Sequence, residues 1–274
     1  MEINMAHKET TKDFLTLNIN SLPYFRGLLR AVEMKVYQEY KFPKPIYDLG
    51  CGDGHFESIA FDEKIDVGLD PWTPPLKEAV KTGGYDLVIQ GNGDRVPFPD
   101  MTFNSAFSNS VLEHIPDVDG VVKETNRILS MDAPFIFCVP NHQFLGNLSL
   151  SNFLDRIRFH RLAELYRHFF NKISRHHHCD SPEVWRDRLE KYGFEIVDYW
   201  HYFSPRAFHL LEWGHYLGLP SLICKKLFGK WILVPQKWNL AITRAILKSA
   251  YDEKRRQENG AYSFYITKKV KHIS

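Results

Sequence analysis

The stretch Asp48-Leu49-Gly50-Cys51-Gly52-Asp53-Gly54 is the part of this sequence best suited to chemistry. Three glycines at every second position let the backbone adopt positive φ and approach a ligand closely, with the N–H groups of the next helix turned toward it. A plain strand-to-helix turn needs fewer glycines. The spacing is Gly-x-Gly-x-Gly; a dinucleotide fingerprint would need glycine or alanine at position 55, where His55 stands. Asp70 follows 20 residues after Gly50. A carboxylate at that place, closing the next strand, accepts from both hydroxyls of a ribose. Loop and acid together imply an adenosine-type ligand and leave its identity open.

Two other polar groups could act. Glu113-His114 follows a strand and reads first as a satisfied pair that orients the turn, with His114 also a candidate wall of an active site. Arg175-His176-His177-His178-Cys179-Asp180 is the densest polar cluster. Adjacent side chains diverge and no second ligand group stands at the right spacing, so no metal is expected there. The cluster reads either as a solvated loop or as the source of a base, His177 or His178, facing an acceptor pocket. The four cysteines, Cys51, Cys138, Cys179 and Cys224, are scattered without a CxxC pair, the pattern of a reducing compartment.

The elements that would position these groups follow from periodicity. Leu22, Phe25, Leu28, Leu29, Val32, Val36 and Tyr40 recur at helical spacing over 21–40, with Ser21 as a cap, whereas residues 1–18 read as polar and loosely held. Strands are predicted at 45–49, 65–70, 85–90, 102–108 and 134–139, with helices over 55–61, 75–81 and 118–129 between them. That alternation predicts an α/β fold, a parallel sheet with helices on its faces. A helix-rich segment spans 141–180, a helix opens at Ser181-Pro182-Glu183, a sixth strand covers 194–202 and a seventh 262–267. Three regions are expected: a tail and lid helix (1–44), a ligand-binding core (45–140), and a helical part (141–274) whose last two strands complete the sheet.

With these elements in order, the sequence resembles the small-molecule methyltransferases called methyltransferase type 11, a class I family using S-adenosylmethionine. The resemblance rests on the glycine loop, Asp70, the run Ile89-Gln90-Gly91-Asn92-Gly93-Asp94-Arg95-Val96-Pro97-Phe98-Pro99-Asp100, and Ser108-Asn109-Ser110-Val111-Leu112-Glu113-His114. It covers about 45–140, with a weaker echo at 181–197. It implies a Rossmann-like seven-strand, mostly parallel sheet with helical insertions after strands five and six. It further implies that Asp48, Gly50, Gly52 and Gly54 support the methionine end of the cofactor and that Asp70 takes the ribose. Asn92, Gly93 and Asp94 would frame the adenine, and Asn109 would lie beside the methionine. The family usually has Asp where Asn92 and Asn104 stand, although an amide oxygen still accepts from an amine. A histidine or tyrosine often precedes its Ser-Pro-Glu-x-Trp helix, which favours a role for His177 or His178.

Charge divides the chain. Residues 1–140 carry 13 Lys and Arg against 21 Asp and Glu, a net of −8; residues 141–274 carry 22 against 12, a net of +10. Residues 205–250 hold seven Lys or Arg and a single acid, Glu212, among many Leu, Ile and Trp. Such a segment is a helical cover packed on itself, a contact with an anionic membrane, or a nucleic-acid surface. The aliphatic residues favour a membrane or a lipid-like acceptor over nucleic acid. The start of the chain shows no apolar signal segment and no run reaches the roughly 20 apolar residues of a membrane span. A cytoplasmic protein is therefore expected, with membrane association left open. The reading is an S-adenosylmethionine-dependent enzyme that methylates a small molecule, at an oxygen of a lipid, quinone or glycan precursor. Two alternatives remain: a non-catalytic S-adenosylmethionine-binding protein and an NAD-linked oxidoreductase.

Overall fold

The computed structural model describes residues 12–273. Seven strands form one sheet: β1 Ile46–Leu49, β2 Ile65–Asp70, β3 Tyr85–Gln90, β4 Ser105–Asn109, β5 Pro134–Pro140, β6 Phe194–Tyr202 and β7 Tyr262–Lys269. Their order across the sheet is β3-β2-β1-β4-β5-β7-β6. The first five strands pair in parallel, and β7 runs antiparallel between β5 and β6. Every residue of β1, β4 and β5 is buried, which explains the unbroken apolar run of β5 and means that Asp48, Ser105, Ser108 and Asn109 must find hydrogen-bond partners inside the fold.

Helices α1 Phe14–Ile19, α2 Tyr24–Tyr37, α3 His55–Ala60 and α4 Thr73–Thr82 belong to one face of the sheet. They share a core there with Phe107, Ile136 and Phe264. Helix α5 Val118–Ile128 and α8 Pro182–Lys191 cover the other face, where Val122, Trp185 and Leu189 meet Phe135 and Phe137. Between β5 and α8 lie α6 Ser149–Arg156 and α7 His160–Ser174; between β6 and β7 lie α9 Pro205–Leu217, α10 Leu219–Phe228 and α11 Lys237–Tyr251.

Several local expectations change. Phe14, Leu15 and Ile19 form a short helix buried against α2, so the chain is held from Phe14 onward rather than from position 21. The expectation for residues 1–11 lies outside the described residues. Helix α2 opens after Pro23 with no side-chain cap, because the Ser21 hydroxyl donates to the Asn18 carbonyl instead. Strand β4 starts at Ser105, since Phe103 makes only an isolated bridge to Leu129 and the Thr102 hydroxyl donates to Pro99.

Residues 141–180 are helix-rich as expected, and many of their apolar side chains lie at the surface. Leu162, Leu165, Phe169 and Ile173 of α7 are exposed, and so are Phe153 and Ile157. Within 205–250, α9 and α11 cover the core with Phe208, Leu211, Leu240 and Leu247, whereas α10 buries none of its side chains.

Candidate cofactor and acceptor cavities

Strand β1 pairs with β2 on one side and β4 on the other, so the chain crosses over at this point and a crevice opens beyond their carboxyl ends. The glycine loop occupies it. Gly50, Gly52 and Gly54 all have positive φ, +89°, +55° and +69°. Their constraints differ. A Cβ on Gly50 would lie 2.5 Å from the Val111 methyls, and one on Gly54 would lie 2.9 Å from the Ala79 Cα. A Cβ on Gly52 would meet nothing within 4 Å, so this residue opens onto a cavity of about 290 Å³.

Asp70 closes β2 on the wall of that cavity. One carboxylate oxygen accepts from the Gly52 N–H at 3.1 Å and the other from the Trp72 N–H at 2.9 Å. Burial holds its pKa above the ordinary value despite these bonds. A carboxylate has about four acceptor positions, so two remain for a ligand's hydroxyls. Asn109 lines the cavity as well, but its amide is engaged: Nδ2 donates to Glu33 at 2.9 Å and Oδ1 accepts from the Cys138 thiol at 3.0 Å.

Other expected residues lie elsewhere. Asp48 is buried beneath the loop and is not part of the cavity wall; it accepts from the Tyr85 hydroxyl at 2.6 Å and bonds to Glu57. An acid on an inward position of a central strand must find donors inside the fold. Burial, with Glu57 beside it, pushes the Asp48 carboxyl well up, and burial pushes Glu57 to about 7. The two therefore hold a proton between them at neutral pH. Asn92 and Asp94 are exposed just past β3, with Gly93 against Leu49 and Val121; they border the crevice outside the enclosed cavity.

A second cavity of about 410 Å³ adjoins the first. Arg26, Arg30 and Ser110 belong to the walls of both. Its remaining wall combines rings (Phe25, Phe144, Tyr262) with Glu113, His114 and His176. His114 Nδ1 faces the Arg175 carbonyl at 3.1 Å, and a carbonyl only accepts, so Nδ1 carries the proton and Nε2, 3.7 Å from Glu113 Oε1, is left as the acceptor. Burial holds the His114 pKa below the ordinary value and pushes His176 down to about 3, so both imidazoles are neutral. Burial raises Glu113 to about 8, and its Oε2 has no hydrogen-bond partner among the described residues. The ligand atoms of Glu113, His114 and His176 lie within 4.8 Å of one another, the one group among the described residues that could hold a metal ion.

The expected bases do not line this cavity. His177 is exposed and its N–H donates to the Glu113 carbonyl at 2.7 Å; His178 meets the Pro116 carbonyl and Asp180. With the backbone N–H groups of both residues drawn to Glu113, it is the neighbouring His176 that faces inward.

Sequence reasoning also missed the buried hub of the site. Glu33 of α2 accepts from Arg30, Asn109, Ser110 and Tyr202 at 2.7–3.0 Å, tying the helix to β4 and β6. The signal was legible: Glu33 stands one turn beyond Leu29, inside the apolar stripe, where an unpaired acid would be costly.

Residues 47–137 match the family described as "Methyltransferase domain". Over 101 residues the chain is 27% identical to a malonyl-[acyl-carrier protein] O-methyltransferase of Legionella pneumophila, covering 35% of this chain and 36% of that enzyme. The match thus spans about a third of that relative's length. Over 185 residues it is 29% identical to an uncharacterised protein of Methanocaldococcus jannaschii, covering 64% and 71%. In fold it is similar to the geranyl diphosphate C-methyltransferase of Streptomyces coelicolor, solved with Mg2+, a substrate analogue and S-adenosyl-L-homocysteine. That likeness has a TM-score of 0.54 at 11% identity and covers 91% of this chain and 81% of the other.

Proposed function

We propose that this chain, a class I S-adenosylmethionine-dependent methyltransferase by its matched domain and its fold, methylates an oxygen of an amphipathic small molecule. The observation that carries the reading is the shared wall of the two cavities: Arg26, Arg30 and Ser110 separate the glycine-loop crevice from a pocket that sets Phe25, Phe144 and Tyr262 beside Arg, His and Glu side chains. A cofactor in the first would present its reactive end to an acceptor in the second.

The residues fit the cofactor. Gly52 leaves the crevice open, Asp70 keeps acceptor capacity for a ribose, and Asn92, Gly93 and Asp94 flank the place of an adenine. Gly50 and Gly54 shape the loop, Asp48 braces it from below, and Asn109 forms the wall beside the methionine end. Arg26, which lines the same cavity as Asp53, would pair with the methionine carboxylate. When bound, S-adenosylmethionine supplies a methyl group on a positively charged sulfur.

The chain's own task is to align the acceptor in line with that group, exclude water and take a proton from a hydroxyl. His114 Nε2 is the group suited to the last step, because it is unprotonated at neutral pH, its ring is fixed through Nδ1, and the Glu113 carboxyl stands 3.7 Å from it. Phe25, Phe144 and Tyr262 give the acceptor an apolar bed. An acceptor of that kind is met at a membrane surface, and peripheral contact with anionic lipid belongs to the same reading.

The test supplies the purified chain with methyl-labelled S-adenosylmethionine and a lipid and metabolite extract, and looks for labelled products by mass spectrometry. A labelled amphipathic product is the expected result. Tight cofactor binding without turnover over a broad range of acceptors would leave a non-catalytic binding protein. Calorimetric binding of NADH without S-adenosylmethionine would point to an oxidoreductase.

A further inference from the structure

Between Glu212 and Asp252 the sequence has no acidic residue, and Glu212 itself is fully buried. Its carboxylate accepts from the Ser149 N–H and hydroxyl, the Leu150 N–H and the Tyr166 hydroxyl. The outer surface of α10 and the start of α11 therefore presents cations with no carboxylate of its own, whereas further along α11 Arg244 and Lys248 pair with Asp13 and Asp252. Lys225, Lys226, Lys230 and Lys237 are exposed and form no ion pair among the described residues.

The same surface is apolar where a solvated helix would be polar. In α11, Leu240, Leu247 and Ala250 face the core. Trp238, Ile242 and Ile246, one stripe at i, i+4 and i+8, are 74%, 75% and 55% exposed. In α10, Leu219, Leu222, Ile223 and Leu227 form another exposed stripe, with Lys226 rising through it on a stem long enough to carry its charge clear of apolar surroundings. A groove of about 640 Å³ between α9 and α11, lined by Leu210, Trp213, Leu217, Ile246 and Leu247, adds further apolar surface. Soluble surfaces rarely expose so much contiguous apolar area.

We propose that the outer face of α10 and α11 docks on an anionic lipid bilayer, with the apolar stripes in the acyl boundary and the lysines at the headgroups. This rests on the amphipathic-acceptor reading, for which the bilayer would be the source of substrate. Charge decides between occupants. A second copy of the chain meeting this face symmetrically would set Lys225, Lys226, Lys230 and Lys237 against one another, the nearby Asp13 and Asp252 being already paired to Arg244 and Lys248, whereas anionic lipid supplies the missing charge. Among the described residues no helix is long and apolar enough to cross a membrane, so the proposed contact is with the bilayer surface.

The experiment is co-sedimentation of the full chain with vesicles of phosphatidylcholine alone or mixed with phosphatidylglycerol. Three proteins are compared: the parent, the stripe variant Trp238→Ser/Ile242→Ser/Ile246→Ser, and the charge variant Lys226→Glu/Lys230→Glu. The parent should partition at least tenfold more strongly onto the anionic vesicles, and salt at about 0.5 M should weaken this by shortening the screening length. Each variant should lose about tenfold or more while keeping the parent's circular dichroism and cofactor affinity. Absence of sedimentation at low salt overturns the proposal, as does a stripe variant that binds as the parent does. Concentration-dependent dimerisation that the stripe variant abolishes, without vesicle binding, would assign the face to a second copy. Vesicle binding is read without methyl transfer, so failure to find an acceptor and failure to dock remain separate results.

Discussion

The cofactor half and the helical insertions use their apolar and acidic residues in opposite ways. In residues 45–140 apolar side chains fill both faces of the sheet, and acids gather under and around the glycine loop. Across α9 to α11 the one acid is inside and Trp238, Ile242 and Leu227 are outside. Each half obeys the same cost of leaving apolar surface in water. The difference is one of placement: the first half encloses a cavity beside the glycine loop, whereas the second carries large apolar side chains on its outside.

The contrast is breakable at single residues. Phe107 of β4 is fully buried, with its ring centroid 5.0–5.6 Å from those of Tyr37, Phe42 and Phe61. Phe107→Ala should cost about 3–5 kcal/mol in denaturant unfolding. Asp70→Ala should weaken S-adenosylmethionine binding about 10- to 100-fold by calorimetry, the loss of charge-assisted bonds worth about 1.5–3 kcal/mol. It should leave vesicle binding unchanged; a parallel loss would mean the halves are not separable.

Glu113 sharpens the comparison through pH. Its pKa is about 8 in the folded chain against an ordinary 4.5, so the folded state holds the proton more tightly. The contribution to stability is full below about pH 4.5 and is lost as pH rises through about 8. Glu57, at about 7, has the same sign over a narrower window. Below about pH 6.5 His176, held down to about 3, works in the opposite direction, so the fall in melting temperature should appear between about pH 6.5 and pH 9. Glu113→Gln should flatten that fall by an amount on the order of several degrees, and an unchanged slope would mean the carboxyl is not held protonated. The smallest effect is expected at Ile242: changing this exposed residue to Ser should alter stability by no more than about 0.5 kcal/mol. A loss as large as that of Phe107→Ala would show that the outer stripe is core after all.

Much of this was legible in the residues. The strands at 65–70, 85–90 and 194–202 begin and end where periodicity puts them, because each is bounded by a glycine or proline turn or a clear change of pattern. Gly50, Gly52, Asp70 and Asn109 meet on one cavity, since motifs at the ends of neighbouring strands converge at the point where strand order reverses. His176 was passed over for His177 and His178 because sequence adjacency carries no direction: which of three consecutive histidines faces inward depends on where the backbone is anchored. Here Glu113 provides that anchor.

By itself the sequence determined the α/β fold, the glycine loop with its acid, and the uneven charge, because all three depend on residue type and on spacing along the chain. Tertiary structure decided the rest. It joined Glu33 to Asn109, Ser110 and Tyr202 across the fold, set two cavities on either side of Arg26, and turned the α7, α10 and α11 stripes outward. Periodicity tells which residues share a face of a helix; only the neighbours of that helix decide whether the face meets the core or the outside.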